Sequence, residues 1–157
     1  MTQKRTFREK LTDDKDFPRV QKLAGGMEKR WGPGTIVLPA ISEVKALMDK
    51  VPKGKIATIN QIRETLARRH NATMACPIVT GIHARIVAGA AGEDQANGRK
   101  RVTPYWRTLK STGELNLKYP GGIQSQRARL KDEGLAVIKR GKRWYVDDYE
   151  THQAELG

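Results

Sequence analysis

The chain has 157 residues, 38% of them hydrophobic and 30% charged, which suits one small domain with a modest core. Thirty Lys and Arg against 17 Asp and Glu give a formal net charge of +13, which favours nucleic acid as a partner, with an anionic membrane surface as the next candidate. The single Cys76 excludes an internal disulfide and a cysteine-rich zinc site, and no apolar run has membrane-spanning length, so we expect a protein without metal, cofactor or membrane.

Residues 1–30 are polar and charged, and they show little periodicity. This composition predicts a basic, flexible N-terminal arm. The turn-rich segment "WGPGT", from Trp31 to Thr35, marks the entry to a folded domain that should occupy residues 31–157.

The first two predicted helices follow this turn. One opens at Pro39 and is stopped by Pro52, and its apolar residues repeat at helical spacing. These apolar residues are Ile41, Val44, Leu47, Met48 and Val51. The second helix begins with a capping box made by Thr58 and Gln61, and it should end near His70.

A third helix begins at Pro77, a residue that suits the first helical turn. Ile78, Ile82 and Ile86 repeat every four residues, and we place them inward. The outer side is then lined mostly by small residues, which suit either close approach to DNA or packing within the protein. Three short helices with tight joins predict a helix-turn-helix. The predicted DNA-binding residues are Pro77, Thr80, Gly81, His83, Ala84, Arg85, Arg99, Lys100 and Arg101.

The C-terminal part predicts a fourth helix over Gln124–Glu133, ended by Gly134, and then a β-hairpin with Gly141 at its bend. The hairpin interleaves basic residues with Trp144 and Tyr145. That mixture suits nucleic acid, unless the rings belong to the core side of the hairpin. The predicted fold is mainly α with a small C-terminal β-hairpin.

The segment 103–134, "TPYWRTLKSTGELNLKYPGGIQSQRARLKDEG", resembles the active-site region of the O6-alkylguanine-DNA alkyltransferases. In that family a P-C-H-R-V motif precedes an extended stretch, a Y-x-G-G or P-G-G element, and a helix ending in E-G. The matching residues are Pro104, Arg107, Tyr119, Pro120, Gly121, Gly122, Glu133 and Gly134. "VPKGKIATINQI" and "CPIVTGIHARI" resemble two upstream family segments, the second being its recognition helix. The resemblance covers about residues 39–134 and implies a winged helix-turn-helix of the alkyltransferase type.

The departures from the family pattern concern its chemistry. Tyr105 stands at the reactive cysteine and Trp106 at the histidine that activates it. Pro77 replaces an intercalating arginine, and Ile59 replaces a tyrosine that turns the phosphate. A phenol with a pKa near 10 stays protonated at neutral pH and cannot easily replace a thiolate. The pattern resembles the alkyltransferase-like branch, whose members bind alkylated guanine without repairing it.

The resemblance therefore implies a non-enzymatic, monomeric protein that binds double-stranded DNA, recognises O6-alkylguanine or related lesions, and passes them to nucleotide excision repair proteins. It implies a cytoplasmic, nucleoid-associated location. The implied base pocket consists of Tyr105, Trp106, Arg107, Tyr119, Gly121 and Gly122. In the alternative arrangement, the bulky side chains of Tyr105 and Trp106 fill this pocket, so that it accepts no base.

Two further functions remain open at this point. One is a general DNA-binding, nucleoid or regulatory protein that reuses the fold. The other is an alkyltransferase that uses Cys76, whose thiol would lie at the N-terminus of the third helix.

Overall fold

The computed structural model describes residues 5–157, which form small β-elements around a helical core. In chain order the elements are α1 (Phe7–Leu11), β1 (Arg19–Lys22), α2 (Gly26–Trp31), β2 (Thr35–Leu38), α3 (Ile41–Asp49), β3 (Ala57–Thr58), α4 (Ile59–Arg69), β4 (Met74–Ala75), α5 (Pro77–Ala96), β5 (Thr108–Leu109), α6 (Gly122–Asp132), β6 (Val137–Arg140) and β7 (Arg143–Val146). Short 3-10 turns occupy Tyr105–Arg107 and Tyr149–His152. No helix within this part of the chain combines the length and the apolar character needed to cross a membrane.

The predicted helix-turn-helix is formed by α4 and α5. Thr58 caps α4: its hydroxyl oxygen accepts from the Gln61 amide at 3.2 Å, and the Gln61 side chain accepts from the Thr58 amide at 2.9 Å. Pro77 occupies the first turn of α5, as predicted. The helix then continues to Ala96, because a run of small apolar residues on its inner side packs against α3 and extends the core.

The phase of α5 differs from the prediction. Ile78 and Ile82 point outward, with 58% and 53% of their surface exposed, and Ile86 lies at the edge of the core. The inner face is instead built from Thr80, His83, Ala84, Val87, Ala88 and Ala91. Small residues on this face let α3 approach closely, which larger isoleucines would prevent. Because α5 is apolar on both sides, the spacing of its isoleucines could not identify the buried side.

The predicted flexible arm is corrected for residues 5–30; residues 1–4 lie outside the described part of the chain. β1 pairs antiparallel with β2, and β2 pairs parallel with β4. α1 packs on α5, where the Glu93 carboxylate accepts from the amides of Phe7 and Arg8 at 3.2 and 2.8 Å. Leu23 is buried in a small core cluster with Ile36. Isolated apolar residues without periodicity thus dock this segment, although its sequence is polar on average.

The C-terminal hairpin has the predicted form. β6 and β7 are antiparallel, with Val137 opposite Val146 and Arg140 opposite Arg143. Gly141 takes the first turn position with φ +63°, the place that glycine fills in a type II′ turn. The inner side of the hairpin packs on a second core cluster that includes Leu115, Leu130 and Leu135. The mainly α class with a small hairpin is confirmed.

Candidate nucleic-acid interface

The outward face of α5 is divided along its length. Its N-terminal half is open, because Ile78 and Ile82 are largely exposed and a side chain added at Gly81 would meet nothing within 4 Å. The C-terminal half is covered. The Phe7 ring lies on Gly89, and Pro120 lies so close to Gly92 that an added Cβ would be 2.6 Å from its ring. Only the first two turns or so of this face can meet a partner.

A groove of about 330 Å³ follows the open half of α5. We call it the α5 groove. Its lining residues are Ile78, Gly81, Ile82, Arg85, Lys110, Asn116, Leu117 and Lys118. Three large hydrophobic side chains in it are exposed, with Leu117 exposed by 62%. Among the described residues, the lining includes three cations and no carboxylate, with the Glu114 carboxylate 3.7 Å from the Lys110 ammonium just outside it, so the groove offers apolar contact inside a positive rim.

Three of the predicted DNA-binding residues are buried. Thr80 has no exposed surface, and its hydroxyl donates to the Cys76 carbonyl at 2.7 Å. His83 packs edge-on against Phe17, with ring centroids 5.1 Å apart, and Ala84 lies in the main core. These three side chains cannot reach DNA in this structure, because the helix is rotated relative to the predicted phase. Pro77 and Gly81 are half-buried, and Arg85 is exposed in the α5 groove.

The predicted basic cluster is also split in space. Arg99, Lys100 and Arg101 are exposed, but they follow the far end of α5. A 20-residue helix is about 30 Å long, so most of that length separates them from Ile78. Arg99 and Arg101 line a separate cavity of about 470 Å³ with α1 and α3, where Asp94 lies 3.9 Å from Arg99. They do not belong to the α5 groove.

The structure brings the predicted pocket aromatics together. Tyr105 meets Trp106 edge-on at 5.3 Å between centroids, and it meets Tyr119 edge-on at 5.8 Å. We call these three rings the aromatic cluster. Tyr105 is 1% exposed and Tyr119 is 3% exposed, so neither ring offers a free face for a base to stack on. In this conformation the rings fill the predicted pocket.

Burial controls the protonation of both phenols. It raises the pKa of Tyr105, although the nearby Arg129 guanidinium lowers it in part. It raises the pKa of Tyr119 far above the ordinary phenol value, against a smaller opposing effect of a hydrogen bond with Asn116. Both groups are therefore neutral near pH 7, and neither is a prepared nucleophile.

The Arg107 guanidinium lies 5.4 Å from the centre of the Trp106 ring, but its hydrogen bonds are made to Glu133 and Val51. It forms three contacts of 2.8–3.1 Å with the Glu133 carboxylate, and it also donates to the Val51 carbonyl at 2.8 Å. The Trp106 indole N–H donates to the same carboxylate at 2.9 Å. Burial would raise the pKa of Glu133, but the hydrogen bonds from Arg107 and Trp106 outweigh it and hold that pKa below the ordinary value. Arg107 therefore anchors the loop.

The loop before α6 joins the aromatic cluster to the α5 groove. Tyr119 directly follows Lys118 in the chain, and its amide donates to the Asn116 carbonyl at 3.2 Å. Gln126, on α6, accepts from the Asn116 amide and donates to the Trp106 carbonyl. Gly121 and Gly122 both have positive φ, at +80° and +67°, and form the turn into α6. These two glycines shape the turn. Within the described part of the chain, they do not line the open slot for a base that the resemblance implies.

Sequence reasoning missed Leu117, Lys110 and Lys118. Leu117 and Lys118 are two consecutive exposed residues between the buried Leu115 and Tyr119, a pattern with no periodic signal in "LKSTGELNLKY". Arg129 was also missed, although its guanidinium lies 4.5 Å from the centre of the Trp106 ring. Arg129 and Trp106 become neighbours through the packing of α6 against the 3-10 turn at Tyr105.

Cys76 lies apart from the aromatic cluster. It precedes α5 and is 8% exposed, and it belongs to the core cluster of Leu23 and Ile36, not to that of Tyr105. Its amide donates to the Val37 carbonyl at 2.9 Å. Within residues 5–157, no group of three or more His, Cys, Asp or Glu side chains is arranged to hold a metal ion.

No family model matches the chain, and no curated protein matches it. Among solved structures, it is similar to Schizosaccharomyces pombe Atl1 in complex with damaged DNA containing O6-carboxymethylguanine, with a TM-score of 0.51 and 18% identity over 73% of this chain and 94% of that chain. A structure of S. pombe ATL in complex with DNA gives a TM-score of 0.47 and 17% identity, with the same coverage. At these identities the likeness concerns the fold, and the chain has the helical, alkyltransferase-like fold.

Proposed function

We propose that this protein binds duplex DNA through the α5 groove without chemically altering it. The observation that carries the proposal is the exposure of Ile78, Ile82 and Leu117 on one face. Apolar side chains grouped at the surface mark an interaction site. The cations Arg85, Lys110 and Lys118 around them suit a partner whose outer surface is anionic and whose interior is apolar. Duplex DNA has both properties, because its phosphates lie outside, while its stacked base faces and the thymine methyl groups in its major groove are apolar.

The net charge and the fold support the same partner. A charge of +13 favours association with a polyanion at long range, which raises the rate of encounter. A solved structure with a similar fold is a complex of Atl1 with damaged DNA. A general DNA-binding, nucleoid or regulatory protein would use the α5 groove in the same way, so the groove by itself leaves the choice of DNA open.

We further propose that the protein recognises O6-alkylguanine or related lesions. The supporting observations are the likeness to Atl1 bound to O6-carboxymethylguanine DNA and the position of the aromatic cluster next to the groove. Because Tyr105 and Tyr119 are buried, entry of an extruded base requires one of these rings to move. Delivery to nucleotide excision repair, a monomeric state and a cytoplasmic, nucleoid-associated location belong to this same proposal.

The test measures binding of fluorescein-labelled 20-base-pair duplexes, plain and with one O6-methylguanine, over a series of salt concentrations. We expect steep loss of affinity with salt, because cations of the protein displace condensed counterions from the phosphates. Replacing Ile82 by Ser and Arg85 by Ala should each weaken binding to both duplexes. The matched control is Val20→Ser, which removes another exposed hydrophobic side chain, 45% exposed on β1, and should leave binding unchanged. Equal loss in all three variants would contradict the assignment to the groove.

The same duplexes separate lesion recognition from general binding. We expect tighter binding of the O6-methylguanine duplex, and Tyr105→Phe and Trp106→Phe should reduce that preference while plain-duplex affinity stays nearly constant. Phenylalanine preserves most of the packing, so both variants should fold. A wild-type protein without any preference would leave general DNA binding as the function.

A further inference from the structure

We infer that the cavity between α1, α3 and the C-terminal end of α5 binds a mononucleotide. We call it the α1 cavity, and its volume is about 470 Å³. That volume lies within the range of about 300–1,000 Å³ that is typical of small-molecule sites. The inference goes beyond the proposed function, because it gives a role to Arg99 and Arg101, which follow the end of α5 opposite the α5 groove.

The α1 cavity has an excess of positive charge. Among the described residues, four cations and two carboxylates line it, the cations being Arg8, Lys45, Arg99 and Arg101. Each carboxylate already has a cation close by, because Lys45 lies 2.7 Å from Asp49, and both Arg8 and Arg99 pair with Asp94. Within residues 5–157, no carboxylate lies within 4 Å of the Arg101 guanidinium. Arg101 is therefore available to an anionic ligand.

The floor of the α1 cavity is apolar. Val87, Ala90 and Ala91 of α5 form it and are 1–3% exposed, and the half-buried Leu11 and Val102 flank them. The two alanines have short side chains, which leaves space above the helix for the face of a flat ring. Covering this floor with an apolar ring face removes hydrophobic surface from water, which favours binding.

The two surfaces together select the class of ligand. Guanidinium groups bind phosphate oxygens through paired N–H donors. Inorganic phosphate would leave the apolar floor uncovered, and a fatty acid would bring no donors to the carboxylates of Asp49 and Asp94. A nucleoside phosphate supplies a phosphate for the arginines, a flat base for the floor, and amino or hydroxyl donors for the carboxylates. A carboxylate has about four acceptor positions, so pairing with one cation leaves positions for such donors.

One wall of the α1 cavity belongs to the N-terminal segment. α1 and its C-cap supply Arg8, Leu11 and Thr12, and α1 is held on α5 by the contact of Phe7 with Gly89. A ligand that contacts α1, α3 and α5 together binds the folded chain and not the unfolded one. It should therefore raise the melting temperature by mass action.

The experiment measures thermal melts and calorimetric titrations of the full chain with AMP, GMP, CMP and UMP, each added alone. At about a hundred times its Kd, we expect at least one nucleotide to raise the Tm by about 5–10 °C. The matching nucleoside and inorganic phosphate are titrated as partial probes. Each of them lacks one of the two contacts, so each should bind at least about tenfold more weakly.

Three single variants locate the site. Arg99→Gln and Arg101→Gln remove cations that line the α1 cavity, whereas Lys100→Gln removes the cation between them in the chain, which does not line it. All three residues are exposed, so the variants should fold. We expect the two arginine variants to weaken nucleotide binding about ten- to a hundredfold. The lysine variant should change it less than about threefold, because salt screens a charge that makes no contact.

A duplex arm separates the α1 cavity from the α5 groove. A saturating nucleotide should leave duplex affinity unchanged, since the two sites lie at opposite ends of α5. Displacement of the duplex, equal loss in all three variants, or no rise in Tm with any nucleotide overturns the inference. Phosphate that binds as tightly as the nucleotides would make the cavity an anion site only, which also overturns it. Failure of the wild-type protein to bind the duplex refutes the proposed function and leaves the nucleotide site standing.

Discussion

Arg107 and Glu133 form an ion pair that closes the loop of the 3-10 turn onto the end of α6. The two side chains are 14% and 7% exposed, and the shortest of their contacts is 2.8 Å. The same carboxylate accepts from Trp106 and from the Gly54 amide at 3.2 Å. One glutamate thus connects the segment before β3, the 3-10 turn and α6.

Replacing Glu133 by Ala should therefore lower the free energy of unfolding by about 3–5 kcal/mol, because it leaves the Arg107 guanidinium buried without its partner. Urea denaturation followed by circular dichroism measures this change. Lys45→Ala is the control, since its pair with Asp49 at 2.7 Å is exposed and should contribute less than about 1 kcal/mol. Similar small losses in both variants would show that Glu133 does not anchor the loop.

Gly89 provides the second prediction, because its α-carbon is where the Phe7 ring crosses α5. Gly89→Ala should force the ring away and destabilise the protein by about 1–3 kcal/mol, in spite of the better helix propensity of alanine. Gly81→Ala, eight residues earlier in the same helix, is the matched control. An added methyl group meets nothing there, so we expect a gain of about 0.5–1 kcal/mol. Thermal melts that rise for both variants would contradict the docking of α1.

His83 makes stability depend on pH. Burial lowers the pKa of His83, against smaller opposing effects of Asp14 and the Pro39 carbonyl, and its Nδ1 atom is buried without a hydrogen-bond partner among the described residues. The fold therefore favours the neutral ring. The unfolded chain takes up the proton near pH 6.5, so the stabilisation is complete above that pH and declines as the pH falls toward the lowered pKa of the folded state.

We expect the free energy of unfolding to fall between pH 7 and pH 5, with a slope of at most about 1.4 kcal/mol per pH unit from this one proton. His83→Gln removes the titrating group and keeps every other one, including His70 beside Glu43. Subtracting the two pH profiles isolates the histidine. Parallel profiles would mean that His83 takes up its proton equally well in both states.

The protein should not accept an alkyl group from DNA. Tyr105 is a buried, neutral phenol at the position that resembles the reactive cysteine, and Cys76 lies in a different core cluster. Incubation with O6-methylguanine duplex should leave the intact mass unchanged and the lesion in the DNA. Mass spectrometry would identify an alkyltransferase by one added methyl group, and Cys76→Ala would then show which side chain carries it.

The sequence by itself determined those structural elements whose signals lie within a few neighbouring residues. The capping box at Thr58, the Pro77 start of α5 and the turn at Gly141 all depend on contacts within a few residues, and each lies where its residues predict. The ordered motifs from residue 39 to residue 134 also indicated the alkyltransferase-like fold, because such motifs reflect a whole arrangement of elements.

Tertiary structure alone decided which side of each element is buried. α5 carries apolar residues on both its inner and its outer side, so the choice between Ile82 and His83 as the inward residue depended on how closely α3 could approach its small side chains. Docking of the segment 5–30 onto the domain depended on a few isolated contacts, such as Phe7 on Gly89, that leave no periodic signal. The α5 groove likewise joins Ile78 to Leu117, residues brought together only by long-range packing, whose energy no local window of the sequence contains.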